Sequence, residues 1–267
     1  MVLKNRIIAE KYAPGFDKDT PMLGWSMSKS VTNALVGILV KDKRLDINSS
    51  ALVDTWKAPD PRNKITLDMM LRMSSGLEFQ ESYAPFKDAT QMLYASKSMA
   101  AYAAGKDLGS APDTQWYYSS GTTNIIAKIV KDSVGGSLES FHRFSKNRLF
   151  DKIKAFSAVI EPDASGAFVG SSYMFATARD WARFGLFLKN DGVWDNERLL
   201  PKGWMDIPPD QPPWRPWGNT EPNSGLMQAP GTILKIENSH PCPKIFTIAV
   251  DSTDRSLQSF PQKMWWW

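Results

Sequence analysis

Apolar residues recur at helical spacing through much of the chain, and turn residues punctuate the runs. Val31, Ala34, Leu35, Ile38 and Leu39 mark one face of a helix that begins near Ser26 and closes on Lys41, Lys43 and Arg44, where cations suit the C-terminal end of the dipole. A short helix opens at Thr66 and stops at Ser74-Ser75-Gly76, and a longer one is predicted from about Asp88 to Ala104, with Met92, Leu93, Met99 and Tyr102 inward. Ile125, Ile126, Ile129 and Val130 define another that ends at Gly135-Gly136, after which Ser137 caps a helix through Phe150. Thr177 with Asp180 reads as an N-cap ahead of Trp181, Phe184, Phe187 and Leu188, with Asn190-Asp191-Gly192 as the stop. Residues 2 to 12 alternate as a strand until Pro14-Gly15 breaks it, and residues 168 to 172 lead back towards the sheet.

Beyond Met205 this patterning stops. Pro208-Pro209, Pro212-Pro213-Trp214, Pro216-Trp217, Pro222, Pro230, Pro241 and Pro243 crowd the chain, and it finishes on Trp265-Trp266-Trp267. Proline removes a donor from a strand ladder, so this stretch is expected to form strands only in short pieces such as Lys244 to Val250. A segment replaced by frameshift or fusion accounts for such a text better than a native proline-rich tail. The organisation expected is therefore a partial domain over 1–205, with a mainly helical lobe at about 30–167, and a distinct segment over 206–267.

With 267 residues the chain is long enough to bury one sizeable core, and its 42% hydrophobic and 22% charged fractions are those of an ordinary globular protein. A net charge of +4, with no basic run beyond Lys41–Arg44, gives no footprint for nucleic acid. The longest apolar run, from Val31 to Val40, is too short to span a bilayer. No leader is legible before Lys11, so the chain as written reads as cytoplasmic, although a missing N-terminus would have carried any leader. Cys242 stands alone and so forms no internal disulfide; His142 and His240 lack ligand spacing, so neither a metal nor another cofactor is expected. The oligomeric state is not encoded in any pattern here.

Chemistry enters at Ser26-Met27-Ser28-Lys29, which sets a hydroxyl and an amine one helical turn apart at the start of the first helix. Unpaired N–H groups at that helix end would favour the charge that develops when an acyl carbonyl is attacked. A serine needs a base, and Lys29 serves at neutral pH only if burial or a nearby cation lowers its pKa. By itself the tetrapeptide is weak, since about two such matches arise by chance in a chain this rich in Ser and Lys. The turn Trp116-Tyr117-Tyr118-Ser119-Ser120-Gly121 adds a phenol and a hydroxyl just ahead of another helix. A buried tyrosine is most often a core residue with its O–H satisfied, but a phenol beside an amine and a serine completes a nucleophile, base and acid set.

Together with Gly24-Trp25-Ser26-Met27-Ser28-Lys29-Ser30 and Tyr118-Ser119-Ser120, the block Ala176-Thr177-Ala178-Arg179-Asp180-Trp181-Ala182-Arg183-Phe184-Gly185 resembles the serine β-lactamase and penicillin-binding superfamily. The likeness covers about residues 2 to 205. It is greatest to the class C β-lactamase-related hydrolases, the branch with esterases and 6-aminohexanoate-dimer hydrolases. It implies an α+β fold in which an antiparallel sheet is flanked by helices, with a mainly helical lobe inserted and the sheet incomplete. Family members carry a helix and a further strand before the strand at residues 2 to 12, so the chain is expected to begin inside the domain.

The same resemblance implies Ser26 as acylated nucleophile, Lys29 as base and Tyr118 as proton relay, with Ser120 and Tyr83 towards the substrate. Ser120 stands where many relatives have Asn, which leans towards small esters or amides rather than β-lactams. Glu81-Ser82-Tyr83 resembles a loop that supplies a substrate-facing tyrosine in the nylon-oligomer hydrolases. A third motif, Lys-Thr-Gly or His-x-Gly on a strand edge, has no match; Gly231-Thr232 and His240 are the nearest fragments. Loss of one oxyanion donor costs about a hundred- to a thousandfold in rate. The competing readings are a catalytically impaired relic or binding protein of the same fold, and a DD-peptidase-like penicillin-binding protein.

Overall fold

The structure, a computed structural model, describes residues 1–3 and 5–206 and the backbone of 233–234 and 248–249. The chain opens with β1 (Val2–Leu3) and β2 (Arg6–Ile7), which pair antiparallel with Val2 opposite Ile7. One continuous strand over residues 2 to 12 was expected. Asn5 breaks it: its φ of 61° lies in the left-handed region that Asn tolerates better than most residues, and the chain folds back there as a hairpin.

Next come β3 (Pro21–Leu23) and α1 (Met27–Lys41), then the short α2 (Leu67–Leu71), whose first turn Thr66 caps through the Met69 N–H at 3.1 Å. The helix expected over Asp88 to Ala104 is two, α3 (Asp88–Ala95) and α4 (Met99–Ala104). The break falls at Ser96-Lys97-Ser98. Ser98 is extended and caps Ala101, and the Met99 N–H donates to the distant Asp163 carboxylate at 2.8 Å, so a tertiary contact overrides helical periodicity. α5 (Ser120–Ser133) and α6 (Leu138–Ser145) follow as expected, and a π-helical turn, Lys146–Phe150, continues α6. The chain then runs through β4 (Val159–Ile160), β5 (Met174–Thr177), α7 (Ala178–Lys189) and a small hairpin of β6 (Val193–Trp194) with β7 (Glu197–Arg198).

β3, β5 and β4 form a three-stranded antiparallel sheet in that order, with Met22 opposite Ala176 and Ile160 opposite Met174. This is the α+β arrangement expected, with sheets that are small and unclosed among the described residues. α1 runs through the core, burying Val31, Leu35, Ile38 and Leu39, and packs against α5, which also contacts α2 and α4. Burial of each such side chain is worth roughly 1.5–3 kcal/mol before entropy is set against it. Gly121 is required where α5 meets its neighbours, because a Cβ there would lie 2.7 Å from the Phe79 ring and 2.9 Å from Ala103.

In the proline-rich stretch only the antiparallel pairing of β8 (Ile233–Leu234) with β9 (Ile248–Ala249) is described. Gly231-Thr232, His240, Cys242 and the terminal tryptophans lie outside the described residues. No helix among the described residues is long and apolar enough to cross a membrane, and no group of three or more His, Cys, Asp or Glu among them is placed to hold a metal ion.

Candidate active site

β3 delivers the chain to the head of α1 through one tight turn. The Gly24 N–H extends the sheet by donating to the Met174 carbonyl at 2.7 Å. A Cβ on Gly24 would lie 2.2 Å from the indole of Trp181 on α7, so only glycine lets that ring close over the turn. Trp181 is anchored in turn by its Nε1–H to the Met22 carbonyl at 3.2 Å. Trp25 follows with φ 45°, a left-handed conformation that is costly for a bulky residue and is found where surrounding structure imposes it.

Ser26 occupies the N-cap of α1 yet caps nothing. The N–H groups of Met27, Ser28 and Lys29 donate instead to the carbonyls of Gly24, Trp25 and Ser26 at 3.0, 2.9 and 3.1 Å. This corrects the expectation of unpaired N–H groups at the nucleophile for those three residues. It also leaves the Ser26 hydroxyl exposed and free of any duty to the helix.

Two side chains converge on that hydroxyl. The Tyr118 O–H donates to Ser26 Oγ at 2.8 Å, and Lys29 Nζ donates to it at 3.2 Å. Lys29 Nζ lies 4.8 Å from the Tyr118 ring centroid and donates to the Ser171 carbonyl at 3.0 Å. The Ser171 segment is held from below by Asn124 on α5, whose Oδ1 accepts the Ser171 N–H and whose Nδ2 donates to Ser171 Oγ, both at 3.1 Å. Asn124 is buried, with its amide also against the sulfurs of Met92 and Met99. Thus α5 contributes twice, once through the turn before it and once from its interior.

The electrostatics of Lys29 differ from what its expected role requires. Burial depresses its pKa, but electrostatic and hydrogen-bond coupling to Tyr118, with Glu81 and Tyr83 behind it, outweighs that, and the amine is held above the ordinary lysine value. The expectation of a lowered pKa is therefore corrected: the surroundings of Lys29 favour its charged form.

Ser120 also departs from expectation. It is fully buried, and both its polar groups are engaged by Glu81: the backbone N–H at 2.7 Å and the hydroxyl at 2.5 Å. Its hydroxyl therefore donates to a carboxylate. Tyr83 is 43% exposed, on the same loop as Glu81 and within electrostatic reach of Lys29, while desolvation around its hydroxyl raises its pKa. Tyr117, the neighbour of Tyr118, is 52% exposed and turned outward. Sequence reasoning missed Glu81, Asn124 and Ser171. Glu81 had one signal, its place beside Tyr83; the other two had none.

The chain is similar to several known proteins. A family model described as Beta-lactamase matches residues 2–235. A 6-aminohexanoate-dimer hydrolase from Paenarthrobacter ureafaciens is 25% identical over 222 residues, covering 76% of this chain and 54% of that protein. Among solved structures, a Bacillus anthracis protein with the provisional name 6-aminohexanoate-dimer hydrolase superposes with a TM-score of 0.67 at 23% identity, covering 76% of this chain and 56% of its own. A penicillin-binding protein from Bacillus halodurans gives a TM-score of 0.55 at 13% identity, over 71% and 64% of the two chains. The chain thus spans about half the length of the 6-aminohexanoate-dimer hydrolases it matches.

Proposed function

The chain belongs to the β-lactamase family, and from that premise we propose that it is a serine hydrolase that cleaves small esters or amides through an acyl-enzyme on Ser26. The observation that carries this reading is a serine hydroxyl that makes no helix cap and instead meets a phenol at 2.8 Å and an amine at 3.2 Å. In the proposed reaction Ser26 Oγ attacks the carbonyl carbon, and its proton passes to the Lys29–Tyr118 pair. The pair then returns a proton to the leaving group, water attacks the ester on Ser26, and the free serine is restored.

The Lys29 amine is held above the ordinary lysine value, so it must lose a proton before it can accept one. The rate is therefore expected to climb into the alkaline range. Activated esters should react best, because their leaving groups need no proton. An amide needs Tyr118 as acid and a complete set of oxyanion donors, and the strand-edge motif that would supply one has no match in the sequence.

The test is hydrolysis of p-nitrophenyl butyrate by the full chain, with labelling by a fluorophosphonate probe. Measurable turnover and labelling, both lost in Ser26→Ala, is the expected result. An ester rate unchanged in folded Ser26→Ala refutes the nucleophile, and a wild type that neither turns over nor labels is a relic.

A further inference from the structure

Among the described residues, Glu81 is the carboxylate placed to act on the serine site from outside its motifs. Both of its oxygens are spent on a single residue: Oε2 accepts the Ser120 N–H at 2.7 Å and Oε1 accepts the Ser120 hydroxyl at 2.5 Å. Ser120 is the first residue of α5 and lies two positions after Tyr118, so the grip falls on the turn that aims the phenol. A carboxylate at a helix N-terminus is favoured by the dipole, and charge-assisted hydrogen bonds are about twice as strong as neutral ones.

The chain leading into Glu81 is itself fixed at two points. The Glu78 N–H donates to the Asp107 carbonyl at 2.8 Å, and the Gln80 N–H donates to the Asp88 carboxylate at 2.9 Å. Asp88 is neutralised locally by Lys106 at 2.6 Å, whereas no cation among the described residues lies within ion-pair distance of Glu81. The titratable groups facing Lys29 are Tyr118 from the turn before α5, and Glu81 and Tyr83 from the loop before α3. Neutral contacts come from Ser26 in the turn before α1 and from the Ser171 carbonyl before β5.

We propose that Glu81 is a positioning residue of the serine site, which aims Tyr118 through its grip on Ser120 and sets a fixed negative charge before Lys29. A role confined to capping α5 would alter stability and the level of activity; the charge role moves a titration as well. The contacts are independent of the hydrolase reading, while the effect on rate rests on it.

The experiment compares full-length wild type, Glu81→Gln and Ser120→Ala. It reads the pH dependence of kcat/KM for p-nitrophenyl butyrate and, independently of turnover, the titration of the Lys29 amine by NMR of 13C-dimethylated lysines, assigned with Lys29→Arg. Removing the carboxylate charge destabilises the Lys29 cation, so Glu81→Gln is expected to shift both the rising limb and the amine titration to lower pH. Ser120→Ala keeps the charge and loses one anchor, so its plateau falls while its midpoint stays. A folded Glu81→Gln in which the Lys29 titration does not move overturns the proposal, even if Ser26-dependent hydrolysis persists. A titration that moves in a protein with no ester activity supports it and removes the hydrolase reading alone. Should Glu81→Gln fail to fold, Glu81→Ala/Ser120→Ala leaves no orphaned hydroxyl and is read by the same criteria.

Discussion

The contact between Gly24 and Trp181 joins two segments that sequence reading treated separately, one as chemistry and one as signature. A methyl group at Gly24 has nowhere to go, because the atom it would strike belongs to a ring fixed by its own hydrogen bond. Gly24→Ala is expected to destabilise the fold by about 1–3 kcal/mol, the usual cost of overpacking, and to lower the urea midpoint accordingly. The neighbours of Trp181 have duties of the same kind. Asp180, almost wholly buried, accepts from the N–H and hydroxyl of Ser157 at 2.8 and 2.6 Å, and Arg179 grips Glu10 through both its Nε and one terminal nitrogen. At this scale the sequence revealed what lies within one turn. Ser26 and Lys29 were legible because three residues on a helix guarantee proximity, whereas Ser171 reaches Lys29 across 142 positions and Asn124 reaches Ser171 across 47.

Among the elements, α5 governs the site, since the turn at its head holds Tyr118 and its second turn holds Asn124. Ser119 caps it, accepting the Thr122 N–H at 3.0 Å. Ser119→Ala is expected to cost about 1 kcal/mol of stability. It should also lower kcat for p-nitrophenyl butyrate more than it raises KM, because fraying displaces Tyr118 from Ser26; thermal unfolding and steady-state kinetics on one preparation read both effects. Helices were legible wherever apolar period and cap agreed, as in α1, α5 and α7. The reading failed where a distant partner intervened, at the Asp163 contact that separates α3 from α4, and where one residue in a left-handed conformation turned an alternating segment into a hairpin at Asn5.

Across the molecule, the N-terminal segment is fastened to α7 by Glu10 and Arg179, with bonds of 2.8 and 2.6 Å. Hydrogen bonding from Arg179 lowers the Glu10 carboxyl to about 2 from an unfolded value of 4.5. The folded state therefore binds fewer protons than the unfolded one between those values. The contribution of the pair is full above pH 4.5 and lost as pH falls towards about 2. Chemical denaturation at pH 7 and pH 3 is expected to show a smaller acid loss in Glu10→Gln than in wild type, by a modest margin because the pair is partly open to solvent. The overall architecture was legible from its motifs; the closure of the fold by such long-range tethers was not, since neither partner stands in a local pattern. The turn ahead of α1 has a further consequence at this scale. Its carbonyls satisfy the first N–H groups of the helix, so replacing the Ser26 hydroxyl proton by an acyl group takes nothing from the helix. Bare serine and covalent adduct can share one scaffold, and the passage between them asks for no refolding at either end.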